Sequence, residues 1–222
     1  MPSSTESSRL PRMNPAIIRQ CINTCRQSLA NEECQYADYI ANFLLAWSTW
    51  EALQTRFIRV AIHHQGWLIK DADTVLARAR ISSMSSAAKV LTKLQIKHPS
   101  EWGGKSTKTW NALLGIEPLR NTITHGFRTT SPDKLRIATA IVVAALEDRT
   151  WLSCVDVPSC SNGTSLIRIG SILEPRTNKN PSSSKSLPQL LEILSVASNG
   201  DQKRSPSASE LQKILDSLTS KP

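Results

Sequence analysis

No glycine-rich phosphate loop occurs in the sequence: there is neither a Walker loop nor a GxGxxG run. That removes the strand–loop–helix route to nucleotide binding. No CxxC pair is present either. The five cysteines, Cys21, Cys25, Cys34, Cys154 and Cys160, are odd in number. A four-cysteine zinc site needs two close pairs, and the five-residue gap from Cys154 to Cys160 fits one poorly. No His/Asp/Glu cluster has metal spacing. The reading is therefore no metal, no cofactor, and reduced, mostly buried thiols. Long apolar runs are also missing. The longest, Ile137 to Leu146, is about half the length a bilayer demands, so it reads as a buried helix. Met1 to Asn14 is rich in Ser and Pro without an apolar core, which argues against a secretory signal. There is no internal repeat. Together these absences point to a soluble, cytoplasmic protein with no membrane association.

What is present suffices for one domain with a real core. Of 222 residues, 40% are hydrophobic and 20% charged. Lys and Arg number 27 against 18 Asp and Glu, a formal net charge of +9, and the pI is near 9.6. This balance favours an anionic partner such as nucleic acid, although part of the excess falls in the expected tails.

The chain opens with a polar arm over residues 1–13. Asn14-Pro15 then reads as an N-cap followed by proline in the first turn of a helix that runs to about Leu29. From Glu32 to His64 there is neither Pro nor Gly. Ile40, Phe43, Leu44, Trp47, Trp50, Leu53, Phe57, Val60 and Ala61 recur at helical steps, and Gly66 closes the run. Asp73 to Ile81 and Ser86 to Lys97 read as shorter helices. His98 to Gly104 is a breaker cluster. Thr107 to Ile116 is helical again, and Pro118 opens a separate helix to about Phe127. Ser131 caps a last helix, Pro132 to Glu147. Residues 14–149 thus form an all-α antiparallel helical bundle. Over residues 150–174, Trp151 to Val157 and Ser165 to Leu173 read as a small C-terminal β-hairpin around the turn Ser161-Asn162-Gly163. Residues 175–222 read as a low-complexity linker and flexible tail with two possible short helices, Leu187 to Val196 and Ala208 to Leu218.

The segment that offers a chemical mechanism is Arg120-Asn121-Thr122-Ile123-Thr124-His125. Arginine presents a planar fork of donors that matches phosphate oxygens and stays charged at any working pH. Histidine moves protons near neutrality. Cleavage of an RNA phosphodiester needs both. On a straight helix five residues turn through about 500°, which leaves Arg120 and His125 about 140° apart around the axis. Asn121 and His125 share a face instead, and Arg128 continues that row. Arg120 would have to curl in from the edge, with Pro118 leaving it in a first turn. One histidine serves poorly as both base and acid, and a symmetric dimer would place a second His125 and a second Arg120 in one cleft.

Leu119 to Phe127 resembles the signature of HEPN-domain proteins, an all-helical superfamily of ribonucleases and toxins whose motif is Arg, four to six residues, then His. Arg120, Asn121 and His125 fit it, and the apolar helix carrying Trp47 and Glu51 looks like the one that precedes the motif. The resemblance covers residues 15 to 148, with about nine of them specific. It implies a HEPN-like fold and a metal-independent endoribonuclease acting as a homodimer. Arg120 would stabilise the phosphate, His125 would transfer protons, and Asn121 would position substrate or histidine. The products would be a 2′,3′-cyclic phosphate and a 5′-hydroxyl. It also implies a toxin or antiviral effector restrained by an antitoxin or another inhibitory protein. One subgroup is controlled by adenylylation of a tyrosine two residues after the histidine. This chain has Phe127 there, which argues against that route.

Alternative readings stay open at several positions. His125 could instead face the dipole at a helix C-terminus. Arg120 could pair with Glu117 or with Glu51. Glu51 could support Arg120 or His125, or face solvent. His63 and His64 end a helix and read as capping or solvated, and His98 in the breaker cluster reads as structural. Trp47, Trp50 and Trp110 fall on apolar faces and read as core, whereas Trp102 beside Gly103-Gly104 is a candidate for stacking on RNA bases. Lys89 and Lys93, with Arg78, Arg80 and Lys97, could meet the RNA backbone or form a solvated face. The competing functional class is a non-catalytic HEPN-like module that binds a partner protein or nucleic acid.

Overall fold

The computed structural model describes residues 15–31, 33–77, 79, 81, 83–126, 129–148, 167–168, 171–172, 186–195 and 204–220. Among these the architecture is all-α. Eight helices run in order: α1 Pro15–Ala30, α2 Tyr36–His64, α3 Ile69–Leu76, α4 Met84–Lys93, α5 Gly104–Gly126, α6 Pro132–Glu147, α7 Leu187–Leu194 and α8 Ala208–Thr219. A 3₁₀ turn, Pro99–Glu101, fills the breaker cluster.

α2 is the spine, and its 29 residues span about 43 Å. Asp38 fixes its start by accepting a hydrogen bond from the Gln35 backbone N–H at 3.0 Å. Its periodic apolar residues Phe43, Trp47, Trp50, Leu53, Phe57 and Val60 are all buried. α6 packs beside it, burying Leu135, Ile137, Ile141, Val142 and Leu146, and α1 leans on both. Ser131 caps α6 by accepting from Lys134 N. Gly66, at φ 94°, takes the left-handed residue that ends α2.

Three expected boundaries moved. The largest change is in α5, which does not break at Pro118 but runs continuously for 23 residues. An interior proline costs a helix about 3 kcal/mol, through a lost amide donor and a ring clash. Here Ile116, Leu119 and Ile123 are buried on either side of it. At about 1.5–3 kcal/mol each, their burial outweighs that cost. α4 stops at Lys93, short of the expected Lys97, because Gln95 adopts φ 61°. Ile96 N then bonds Leu91 O and Gln95 N bonds Thr92 O, a left-handed helix stop of the kind usually built on glycine. α3 begins at Ile69 and ends at Leu76, upstream of the expected Asp73 to Ile81, because Val75, Leu76 and Ala72 give it its buried face.

The C-terminal helices are not a loose tail. α7 packs on α3 and α4 and buries Leu190 and Leu194. α8 lies against α5 and α6, buries Leu211 and Leu218, and places Ile214 Cδ1 over Gly115 of α5. Strand structure among the described residues is one two-residue antiparallel pair, Ile167–Arg168 with Ser171–Ile172. It lies wholly within the segment expected as one strand of the hairpin. The N-terminal arm, the expected strand Trp151 to Val157, its turn, and Cys154 and Cys160 lie outside the described residues. Cys25 is fully buried, and Cys21 and Cys34 are partly so, all as free thiols. Burial first, and the neighbouring Cys21 second, push the Cys25 thiol up to about 11. Among the described residues no helix is long and apolar enough to cross a membrane.

Candidate active site

α2 and α5 run antiparallel, and a line of contacts sets their register. Tyr36 Oη accepts from Thr130 N just beyond α5; further along, Glu51 meets Arg120, Trp50 meets Trp110, and Phe57 meets Trp102. The aromatic part is a chain of edge-on contacts, with centroids at 6.2 Å for Trp50–Trp110, 5.2 Å for Trp102–Trp110 and 5.9 Å for Phe57–Trp102. Such pairs add about 0.5–1.5 kcal/mol each beyond area burial and favour one register. With that register fixed, the middle of α2 lies beside the last two turns of α5.

Arg120 is the hub. Its Nη2 donates to Glu51 Oε1 at 2.9 Å, and its Nη1 donates to Asn121 Oδ1 at 3.0 Å. The same Nη1 lies 3.4 Å from His125 Nε2. Arg120 and His125 therefore meet despite the 140° that an ideal helix puts between them, because the arginine chain wraps around α5. Glu51 accepts a second bond on the same Oε1, from Trp47 Nε1 at 2.9 Å. The side chains of Arg120 and Glu51 are 20% and 40% exposed, and Asn121 and His125 are exposed. The cluster sits at the protein surface, open to a ligand. Arg120 Nε–H has no partner among the described residues, so the guanidinium has unused donor capacity. At that nitrogen Arg120 can only donate, since a guanidinium has no acceptor.

The open alternatives for Arg120 divide cleanly. Its carboxylate partner is Glu51. Glu117 instead accepts from Met84 N at 2.7 Å and ties the start of α4 to α5, one turn before Arg120. Lys89 and Lys93 lie exposed one turn apart on α4. Trp102 corrects an expectation: it is 5% exposed, wedged between Phe57 and Trp110, and its Nε1 donates to Lys97 O at 2.7 Å. It has no open face for a base. His63 Nδ1 donates to Trp67 O, and His98 Nδ1 accepts from Ser100 N at the 3₁₀ turn, both structural contacts. Phe127, Arg128, Arg78 and Arg80 lie outside the described residues. Among the described residues no three His, Cys, Asp or Glu side chains gather where they could hold a metal ion.

The sequence reading missed the indole donor. Trp47 is core, at 3% exposure, as its apolar face implies, yet its N–H leaves the apolar interior to reach a carboxylate. The signal was the i, i+4 spacing of Trp47 and Glu51 on one helix.

Compared with known proteins, the chain matches no family model, no curated protein and no solved structure.

Proposed function

We propose that the chain is a metal-independent endoribonuclease of HEPN type that cleaves RNA by attack of the 2′-hydroxyl on the adjacent phosphorus. The observation that supports this most is the approach of Arg120 Nη1 to His125 Nε2, 3.4 Å apart at an exposed surface. A phosphate entering there takes over the guanidinium donors and releases the ring nitrogen. His125 Nε2 then accepts the 2′-hydroxyl proton as O2′ bonds to phosphorus. Arg120 offsets the charge that grows on the phosphoryl oxygens. The P–O5′ bond breaks, the leaving O5′ takes a proton, and the ends are a 2′,3′-cyclic phosphate and a 5′-hydroxyl. A second copy of the chain would supply the acid as a second imidazole across a two-fold cleft. Asn121 orients the guanidinium, Glu51 holds its far edge, and the exposed Lys89 and Lys93, with Arg128, draw the RNA backbone toward the cleft. The biological role that goes with this chemistry is a cytoplasmic toxin or antiviral effector held by an inhibitory protein.

A second reading draws on the same contacts. Arg120 already has a carboxylate partner in Glu51, as a guanidinium in a purely structural network would. On that reading the chain is a helical binding module. Purified protein incubated with RNA in excess EDTA, beside the Arg120→Ala and His125→Ala chains, separates the two. The ribonuclease reading expects cleavage by wild type and a loss of about 10²–10⁴-fold in each variant. Equal behaviour of all three chains leaves the binding module.

A further inference from the structure

Packing alone would account for Trp47. It is buried against Phe43, with ring centroids 6.3 Å apart and planes tilted by 37°. Its Nε1–H, however, reaches Glu51 Oε1 at 2.9 Å, the same oxygen that receives Arg120 Nη2 at 2.9 Å. One donor comes from the interior and is immobile because its ring is packed. The other comes from the rim and is mobile because its chain is long and partly solvated. A carboxylate 40% exposed and held only by a half-buried guanidinium on a long flexible chain is held weakly. Glutamate also loses much rotamer freedom when fixed, which works against such a hold. A bond from a buried, neutral N–H to a charged acceptor is stronger and does not move with the arginine.

We propose that Trp47 is a positioning residue: it pins Glu51 Oε1 from the core side, and so sets the angle at which the Arg120 guanidinium faces His125. The proposal rests on reading Arg120 and His125 as the reacting pair. Two donors on one oxygen stop the carboxylate from turning about its axis. Without the indole N–H, either oxygen of Glu51 can follow the guanidinium into solvent. Nη1 then spends less time opposite Nε2, and the phosphate arrives at a disordered cation. Trp47 touches neither substrate nor histidine, so its effect belongs in the rate of the reaction rather than in RNA affinity.

The test uses the full chain with Trp47 replaced by 3-benzothienylalanine, which keeps the bicyclic shape and puts sulfur where the N–H was. Trp47→Phe serves as a second variant, and thermal unfolding checks that each is folded. Two quantities are read: the ¹⁵N signal of His125 Nε2 at fixed pH, and kcat and KM for RNA cleavage. The expected result is a displaced Nε2 signal in the sulfur analogue, and kcat lower by about tenfold or more with KM within about twofold of wild type. Glu51→Gln should displace the Trp47 indole N–H signal in turn. An unmoved Nε2 signal in both folded variants overturns the proposal, whatever cleavage does. So does a moved signal with kcat unchanged. If wild type cleaves no RNA but the Nε2 signal still moves, the ribonuclease reading falls and the Trp47–Glu51–Arg120 linkage stands.

Discussion

Among the described residues, the pairs Arg59–Asp73 and Arg120–Glu51 both involve α2, and they differ in almost everything but chemistry. Arg59 meets Asp73 of α3 through two parallel bonds, Nε to Oδ1 at 2.5 Å and Nη2 to Oδ2 at 3.0 Å, with side chains 7% and 14% exposed. Arg120 meets Glu51 through one bond at 2.9 Å, at 20% and 40% exposure, and turns its other edge to Asn121 and His125. The first is closed: fork matches fork, and little of either side chain meets water. The second is open: one edge is anchored and the other is presented. In the sequence both are arginines on long helices, and Arg120 stands apart only through its spacing to His125. What separates the two is how much of each guanidinium its neighbours consume.

Breaking the closed pair should produce the largest loss of stability. Asp73→Ala leaves the Arg59 charge in a buried setting without its carboxylate, and removal of one partner of such a pair costs about 3–5 kcal/mol. Chemical denaturation should show this as a large fall in unfolding free energy, while Glu51→Ala costs less, about 1–3 kcal/mol, chiefly from the buried Trp47 N–H left without its acceptor. Equal costs for the two substitutions would erase the contrast.

The closed interior has a second marker in Cys25. Its thiol is raised to about 11 from 9.0, so the folded chain keeps a proton that the unfolded chain gives up sooner. The sign follows: this contribution is fully present below pH 9 and is lost as the pH climbs toward 11. Melting midpoints followed across that window should fall more steeply for wild type than for Cys25→Ala. In the native state near pH 8, Cys21 and Cys34 should react with a thiol reagent well before Cys25 does. Parallel curves for the two chains would place Cys25 in contact with water.

The long amphipathic helices were legible because their signal is redundant. α2 and α6 follow from period and caps, and their ends fall within a few residues of expectation. Most of the failures share one cause, which is distant contact overriding a local rule; the stop at Gln95 is instead a local conformation that its side chain does not announce. Pro118 reads as a boundary until Ile116, Leu119 and Ile123 are seen buried around it. Gln95 gives no warning of φ 61°. Trp102 looks available beside two glycines and is enclosed by Trp110 and by Phe57 of α2, forty-five positions before it. The tail helices look detachable until Leu190 and Leu211 are found buried in the bundle. At the site, the motif put Arg120, Asn121 and His125 together, whereas ideal helical angles argued against the contact that forms. Glu51 stayed undecided because sixty-nine positions separate it from Arg120, and only the register of α2 on α5 closes that gap.

α8 tests how firmly the tail belongs to the closed part. Ser207 Oγ accepts from Glu210 N at 3.2 Å, and Glu210 Oε2 accepts from Ser207 N at 2.5 Å. The Ser207 N–H first, and its hydroxyl second, hold the Glu210 carboxyl below its usual range. Its contribution is therefore present above the ordinary glutamate pKa and fades as pH drops below it. Ser207→Ala should cost about 1 kcal/mol, seen first as lost amide exchange protection in α8. Protection lost equally in α2 would mean that α8 and the bundle unfold as one unit.

The smallest stability effect should carry the largest message. In a double-mutant cycle on Glu51→Gln and Arg120→Lys, the coupling measured by unfolding should be about 0.2–1 kcal/mol, as for other exposed pairs. Lysine keeps the charge but loses the planar fork that reaches Glu51 and His125 together. In the same cycle measured by RNA cleavage, Arg120→Lys alone should remove most of the activity, and adding Glu51→Gln should remove little more, because both substitutions disable one oriented guanidinium. Strong coupling in stability with independent effects on cleavage would invert the comparison. Arg120–Glu51 would then join Arg59–Asp73 as part of the frame, and His125 would be left beside a cation that only holds helices together.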